Sequence, residues 1–155
     1  MVYLLLKAVH VLCVVLWVGG MAFAHFCLRP AVVALEPPVR LRLLHAVLQR
    51  FFTIVLGTTA LIVVSGLWMI GRTAKQVVQS GGSFVWPLDW LLMTVVGLLM
   101  VALFGHIRFV LFKRLQRAVA AADWPAAGVA MAAIRRWVGV NLALGLALIP
   151  AVYLL

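Results

Sequence analysis

Four long apolar stretches divide this sequence, and they constrain its fold more than any other feature. They cover roughly residues 2–28, 43–71, 88–112 and 136–155, and a membrane-spanning helix needs about 20 mostly apolar residues. Because 67% of the residues are hydrophobic and only 10% are charged, little remains from which to build a soluble domain. The sequence therefore predicts an all-α integral membrane protein, with residues 1–155 forming a single four-helix transmembrane domain.

The positive charges are distributed unevenly among the connections. The first and third connections and their flanks carry most of them: Arg29, Arg40, Arg42 and Arg50, and then Arg108, Lys113, Arg114, Arg117, Arg135 and Arg136. The second connection carries only Arg72 and Lys75. The positive-inside rule then predicts an N-out/C-out topology in a bacterial-type inner membrane. The net charge of +10 is thus a topology signal, which predicts anionic lipids, not nucleic acid, as the partner of the cytoplasmic loops.

The connections and the second span contain further local signals. Glu36-Pro37-Pro38 predicts a helix restart, because proline is well tolerated in a first helical turn. Asp123 predicts the N-cap of a helix that continues through Arg135 into the fourth span. The second span contains small residues that let helix backbones approach closely in lipid, namely Gly57, Thr58, Thr59, Ser65 and Gly66.

Polar and sulfur-bearing side chains share one face of the first span. At about 100° per residue, six residues lie within about 60° of the direction of His10: Lys7, His10, Cys13, Trp17, Met21 and His25. An ionisable group inside a span costs about 2.5–3.5 kcal/mol on insertion scales. This face therefore points into the bundle or a wet cavity, and it is the candidate functional surface.

A haem b interpretation follows from the histidines. His10 and His25 are separated by roughly 22 Å along the helix axis, the arrangement of a two-haem membrane cytochrome. His106 on the third span is expected at the depth of His25, and Met93 at the depth of His10. We therefore expect one haem between His10 and Met93, with Lys7 offering its ammonium to a propionate, and a second between His25 and His106.

Copper is the competing ligand-based interpretation. His10, Cys13 and Met21 form a soft set of the kind that Cu(I) favours, and ligands spaced along one face could pass an ion across the membrane. Carboxylates are scarce, and all three of them, Glu36, Asp89 and Asp123, are expected at or beyond the interface. A carboxylate-based proton or cation pump is therefore disfavoured.

Several motifs resemble a known family. Lys7-Ala8-Val9-His10, Trp17-Val18-Gly19-Gly20 and the segment from Asp123-Trp124-Pro125 to Gly139-Val140-Asn141 resemble the copper resistance D (CopD) family and the related HemJ-type protoporphyrinogen oxidase. The resemblance implies a four-helix inner-membrane protein that handles copper or binds b-type haem, with His10 and Lys7 matching the shared motif. The oxidase branch usually has a histidine and a lysine where the third span begins, whereas this chain reads Trp90-Leu91-Leu92-Met93-Thr94. This departure argues against protoporphyrinogen oxidation.

The sequence thus leaves three functions open. The leading one is a haem b redox protein that exchanges electrons with a quinone, a porphyrin or a periplasmic partner, which leaves enzymatic activity undecided. The second is a copper-binding or copper-transporting membrane protein. The third is a non-catalytic membrane subunit, and a homo-oligomer is compatible with all three.

Overall fold

Four long helices make up the computed structural model, which describes residues 1–154. They are α1 (Val2–Ala31), α2 (Pro37–Gln79), α3 (Leu88–Ala120) and α4 (Trp124–Leu154). All four are long and apolar enough to cross a membrane, and the described residues contain no strand. The predicted four-helix transmembrane fold is therefore confirmed. The fourth predicted span ends at Leu155, which lies outside the described residues.

Each helix is longer than the apolar stretch from which it was predicted, because polar or amphipathic turns extend it. α2 begins at Pro37, as the proline pair predicts, and its 43 residues extend over about 64 Å, well beyond the hydrocarbon core of about 30 Å. α4 begins at Trp124, and the backbone N–H of Ala126 donates to Asp123 Oδ1 at 3.0 Å. Asp123 therefore caps the N-terminus of α4, as the sequence predicts.

The helices alternate in direction, and each packs chiefly against a sequence neighbour. α1 packs most extensively against α2, and α3 against α4. α1 and α2 both also contact α4, and α2 contacts α3. We call the end formed by residues 32–36 and 121–123 the basic end, since most of the arginines and lysines lie near it.

The tightly packed core lies toward the basic end and is built around aromatic rings. Phe52 of α2 packs edge-to-face on Phe104 and Phe112 of α3, with ring centroids 5.9 and 5.3 Å away. Trp17 of α1 packs edge-to-face on Phe104, and His45 stacks on Phe112. Since these rings come from three helices, they hold the bundle together at this end.

Two helices contain a π-helical segment near the basic end. These segments are Ala24–Leu28 in α1 and Ile107–Leu111 in α3. A π segment adds a residue to a turn and so changes the direction of the side chains that follow, and such segments are frequent at functional sites. Each lies at one of the predicted haem ligands, because His25 is in the first and His106 directly precedes the second.

Candidate functional site

A hydrogen bond between α1 and α2 fixes the most deeply placed histidine of the first span. His10 Nδ1 lies 2.9 Å from Ser65 Oγ, and Ser65 is buried while His10 is half-buried. The hydroxyl of Ser65 also lies within hydrogen-bond distance of the carbonyl oxygens of Leu61 and Ile62, one turn back on α2. The pair therefore joins the two helices that pack most closely.

The surroundings of Ser65 determine which ring nitrogen of His10 carries the proton. A hydroxyl has one proton, and the backbone carbonyls of Leu61 and Ile62 can only accept it. With the Ser65 proton directed at one of these carbonyls, Ser65 Oγ accepts from His10 Nδ1–H, and we assign the proton of His10 to Nδ1 on this basis. Nε2 consequently keeps its lone pair, which is the form of imidazole that binds a metal.

Gly66 provides the surface on which the imidazole lies. A Cβ atom at this position would approach His10 Cε1 to 3.4 Å and Nδ1 to 3.8 Å. The ring therefore packs closely over the backbone of α2 next to Ser65. A Cβ at this position would be in ordinary van der Waals contact with the ring, so Ser65 bonds to the imidazole and Gly66 borders it.

Cys13 and Lys7 flank His10 by one turn on either side. Cys13 is buried, with 5% of its surface exposed, and its sulfur is a free thiol. Residues three positions apart on a helix are neighbours, about 5–6 Å apart at Cβ. Lys7 is exposed, one turn closer to the N-terminus. The structure thus places a buried thiol one turn from His10 on one side and an exposed cation one turn away on the other.

Met21 and Met93 are placed differently from this group. Met21 is buried in the aromatic and aliphatic core together with Trp17 and Phe52, about 16 Å along α1 from His10. Met93 is half-buried on α3. The hydrogen bond of the His10 side chain is with Ser65 of α2, and the pairing of His10 with Met93 stays a sequence prediction.

His25 and His106 both lie beside α4 but at different residues of it. His25 Cε1 would be 3.8 Å from a Cβ at Gly139, and His25 also packs edge-to-face on Phe26. His106 is exposed and packs edge-to-face on Trp137, with ring centroids 5.9 Å apart. Because residues 137 and 139 point about 160° apart around a helix, the two imidazoles contact different faces of α4.

Sequence reasoning treated Ser65 and Gly66 only as small packing residues. The signal that could have identified Ser65 is a hydroxyl within a span at a depth where the neighbouring span has a histidine.

Two further polar atoms, Asn141 Oδ1 and Thr59 Oγ1, are buried without a hydrogen-bond partner among the described residues. Asn141 Nδ2 donates to the backbone oxygen of Met100 at 3.3 Å, which joins α4 to α3 as an interhelical contact.

The donor set around His10 is small and soft. Within residues 1–154, no three histidine, cysteine or acidic side chains come together as a metal site. His10 and Cys13, one turn apart, carry an imidazole nitrogen and a thiol, which are donor types that suit Cu(I) better than a hard cation that requires several oxygens.

The comparison with protein families bears on the alternatives that the residues leave open. Residues 45–155, well over half of the chain, match the family model for copper resistance protein D. The chain belongs to the CopD family. The match includes Ser65, Gly66, Met93 and His106, while Lys7, His10 and Cys13 lie before it. No curated protein sequence and no solved structure matches the chain.

Family membership changes the balance between the two cofactor predictions. It indicates a multi-pass membrane protein related to copper resistance, which is the alternative that the sequence analysis placed second. Nothing in the family match supports haem binding or electron transfer, which the sequence analysis placed first.

Proposed function

We propose that this chain handles copper in the membrane and that His10 and Cys13 form its Cu(I)-binding pair. The observation that carries the proposal is the His10–Ser65 hydrogen bond, because it leaves Nε2 free one turn away from a buried thiol. Membership of the CopD family supports copper as the ion.

The charges of this ligand pair suit a site inside a membrane. Copper binding requires the Cys13 thiol to lose its proton, while His10 contributes a neutral imidazole. Cu(I) has one positive charge and the thiolate one negative charge, so the bound complex is neutral. A neutral complex avoids the large cost of placing an unpaired ion in a medium of low dielectric.

Met21 would be a second position for the ion, deeper in the membrane. It lies on the same face of α1 but too far from His10 to bind the same ion. Its thioether is 2% exposed in the packed core, so an ion reaches it only if the core rearranges. We therefore assign binding to His10 and Cys13, and treat Met21 as a later position on a transfer path.

Haem binding and copper binding can be distinguished by measuring the absorbance spectrum of the protein. Haem at His10 with Met93, or at His25 with His106, stays a sequence prediction, as do the quinone, porphyrin and periplasmic redox partners. A haem protein has a strong Soret absorbance band, whereas Cu(I) bound to sulfur and nitrogen has none.

The test is Cu(I) binding by the detergent-purified protein, measured anaerobically by competition with a coloured Cu(I) chelator. The His10→Ala and Cys13→Ser variants each remove one donor. The chain offers matched controls on the same helix, since His25→Ala and Cys27→Ser remove the same residue types elsewhere. Absorbance spectra of protein from haem-supplemented cells are recorded in parallel.

We expect one Cu(I) per wild-type chain and a loss of affinity of more than about tenfold in both site variants, with the controls close to wild type. Equal affinity in wild type and in both site variants would exclude this pair as the copper site. A Soret band that disappears in His10→Ala would replace the copper proposal with the haem interpretation.

A further inference from the structure

An open groove lies between α1 and α4, about six residues from the basic end of α1. It has a volume of about 550 Å³ and is lined by His25 and by residues of one segment of α4: Ala132, Ala133, Arg135, Arg136 and Gly139. Gly139 and the two alanines leave the space that a larger side chain would fill. The groove is far from the His10–Ser65 pair, at the other end of α1.

The groove is strongly cationic and has no compensating carboxylate. Arg135 and Arg136 line it, and Arg29 of α1 lies close enough to Arg135 for the two guanidinium groups to repel each other. The chain has three acidic residues, all within the described residues 1–154, and none of them lines the groove. An anion placed here would relieve the repulsion and accept charge-assisted hydrogen bonds from these guanidinium groups.

A narrow apolar crevice continues from the groove toward α2. His25 and Arg135 line both spaces, and the crevice adds Arg29 and a set of apolar side chains: Ala24, Leu28, Leu44, Leu48, Met131, Ile134 and Val138. The π-helical segment of α1 supplies Ala24, His25 and Leu28 to this lining. The combined site is therefore amphipathic, with positive charge at one side and a hydrocarbon-lined slot at the other.

The depth of the groove matches the boundary between headgroups and hydrocarbon. Arg29 directly follows the apolar stretch 2–28 of α1, and Arg135 directly precedes the apolar stretch 136–155 of α4. Arginines at such positions place their guanidinium groups at headgroup level and their stems in the hydrocarbon. An occupant of the groove thus has its charged part among the phosphates and its apolar part inside the bilayer.

We propose that the groove between α1 and α4 binds an anionic phospholipid, with its phosphate held by Arg135 and Arg136 and approached by Arg29 from the crevice. The crevice has a volume of about 70 Å³, so it takes the first few methylene groups of an acyl chain, and the rest of the chain lies in the bilayer. Basic pockets between transmembrane helices are a known way of binding such headgroups. A soluble anion would satisfy the arginines but leave the crevice without an occupant. This site is independent of the copper proposal, because it shares no residue with it.

The test is native mass spectrometry of the detergent-purified chain titrated with phosphatidylglycerol, with phosphatidylcholine of the same chain length as the neutral lipid. The site variant is the double substitution Arg29→Gln and Arg135→Gln. The matched control is Arg114→Gln with Arg117→Gln, which removes the same charge from exposed positions near the same end. Inorganic phosphate is added as a competitor, and thermal unfolding verifies that each variant is folded.

We expect one tightly bound phosphatidylglycerol per wild-type chain, with affinity at least about tenfold lower in the site variant and unchanged in the control. Equal losses in the site and control variants would show only diffuse attraction to positive charge and would overturn the proposal. Equal binding of phosphatidylcholine would also overturn it, as would displacement of the lipid by millimolar phosphate. If the double variant does not fold, the single substitution Arg135→Gln and the comparison of the two lipids on wild-type protein decide the question.

Discussion

His10 Nδ1 and Ser65 Oγ are 2.9 Å apart, and they join two helices across 55 positions of sequence. The bond determines three properties of the imidazole: its tautomer, its orientation over Gly66 and the availability of Nε2. A ligand whose ring is held before the metal arrives loses less conformational freedom on binding. Such outer partners of a ligating histidine typically contribute about 10–100-fold to metal affinity.

Replacing Ser65 with alanine should therefore weaken Cu(I) binding without removing a ligand. We expect an affinity about 10–100-fold below wild type in the chelator competition assay, since the ring of His10 is no longer held in one tautomer and orientation. Ser65→Thr retains the hydroxyl and should restore much of the loss. Thr53→Ala is the control, because this hydroxyl also bonds back to its own helix, at Gln49, but on an exposed face. Identical affinities for Ser65→Ala and wild type would contradict the assigned role.

Gly145 should be intolerant of even one added methyl group. A Cβ there would lie 2.9 Å from Val18 Cγ2 and 3.1 Å from Met100 Cε, and the β-branched valine has little freedom to move aside. We expect Gly145→Ala to lower the free energy of unfolding by about 1–3 kcal/mol, measured by thermal or denaturant unfolding in detergent.

Gly57→Ala is the matched control for this substitution. A Cβ at Gly57 meets nothing within 4 Å, so the change should stabilise the protein through helix propensity, by up to about 1 kcal/mol. If both substitutions stabilised the protein equally, α1 and α4 would not approach each other as closely as the structure has them.

Phe52 should be a costly aromatic residue to truncate. Its ring is 2% exposed and contacts Phe104 and Phe112 of α3, so Phe52→Ala leaves a cavity among three helices. Comparable truncations cost about 3–5 kcal/mol in soluble cores, and we expect a marked fall in unfolding temperature in detergent. Phe26→Ala, at a ring that is 63% exposed, should leave the unfolding temperature close to wild type. A similar fall in both variants would argue against a packed core at Phe52.

The fold was predictable from sequence because each span contains enough consecutive apolar residues to be recognised as a membrane-spanning helix. The helix ends were predictable where a proline or a cap marks them, as at Pro37 and Asp123, and unpredictable where amphipathic turns extend a helix, as from residue 112 to Ala120. Such turns are too polar to be counted as membrane segments, yet their apolar side packs on α4.

The site was predictable only within one helix. Helical periodicity places Cys13, Trp17 and Met21 on one face of α1, and the structure buries all three. Periodicity contains no information about which neighbouring helix that face meets or at what register. For that reason the sequence could not identify Ser65 of α2 as the hydrogen-bond partner of His10, because this contact depends on the packing of two distant segments.

The N-out/C-out topology is still a prediction from charge, and cysteine labelling in intact cells can test it. Single cysteines at exposed positions Val33, Ala121 and Ser83, in a chain carrying Cys13→Ser and Cys27→Ser, would report on the three connections. The positive-inside rule requires Ser83→Cys to react with an impermeant maleimide in intact cells, and Val33→Cys and Ala121→Cys to react only after permeabilisation. The opposite pattern would place the basic end outside. The groove between α1 and α4 would then lie in the outer leaflet. His10 would lie near the cytoplasmic surface, so copper would reach Cys13 from inside the cell.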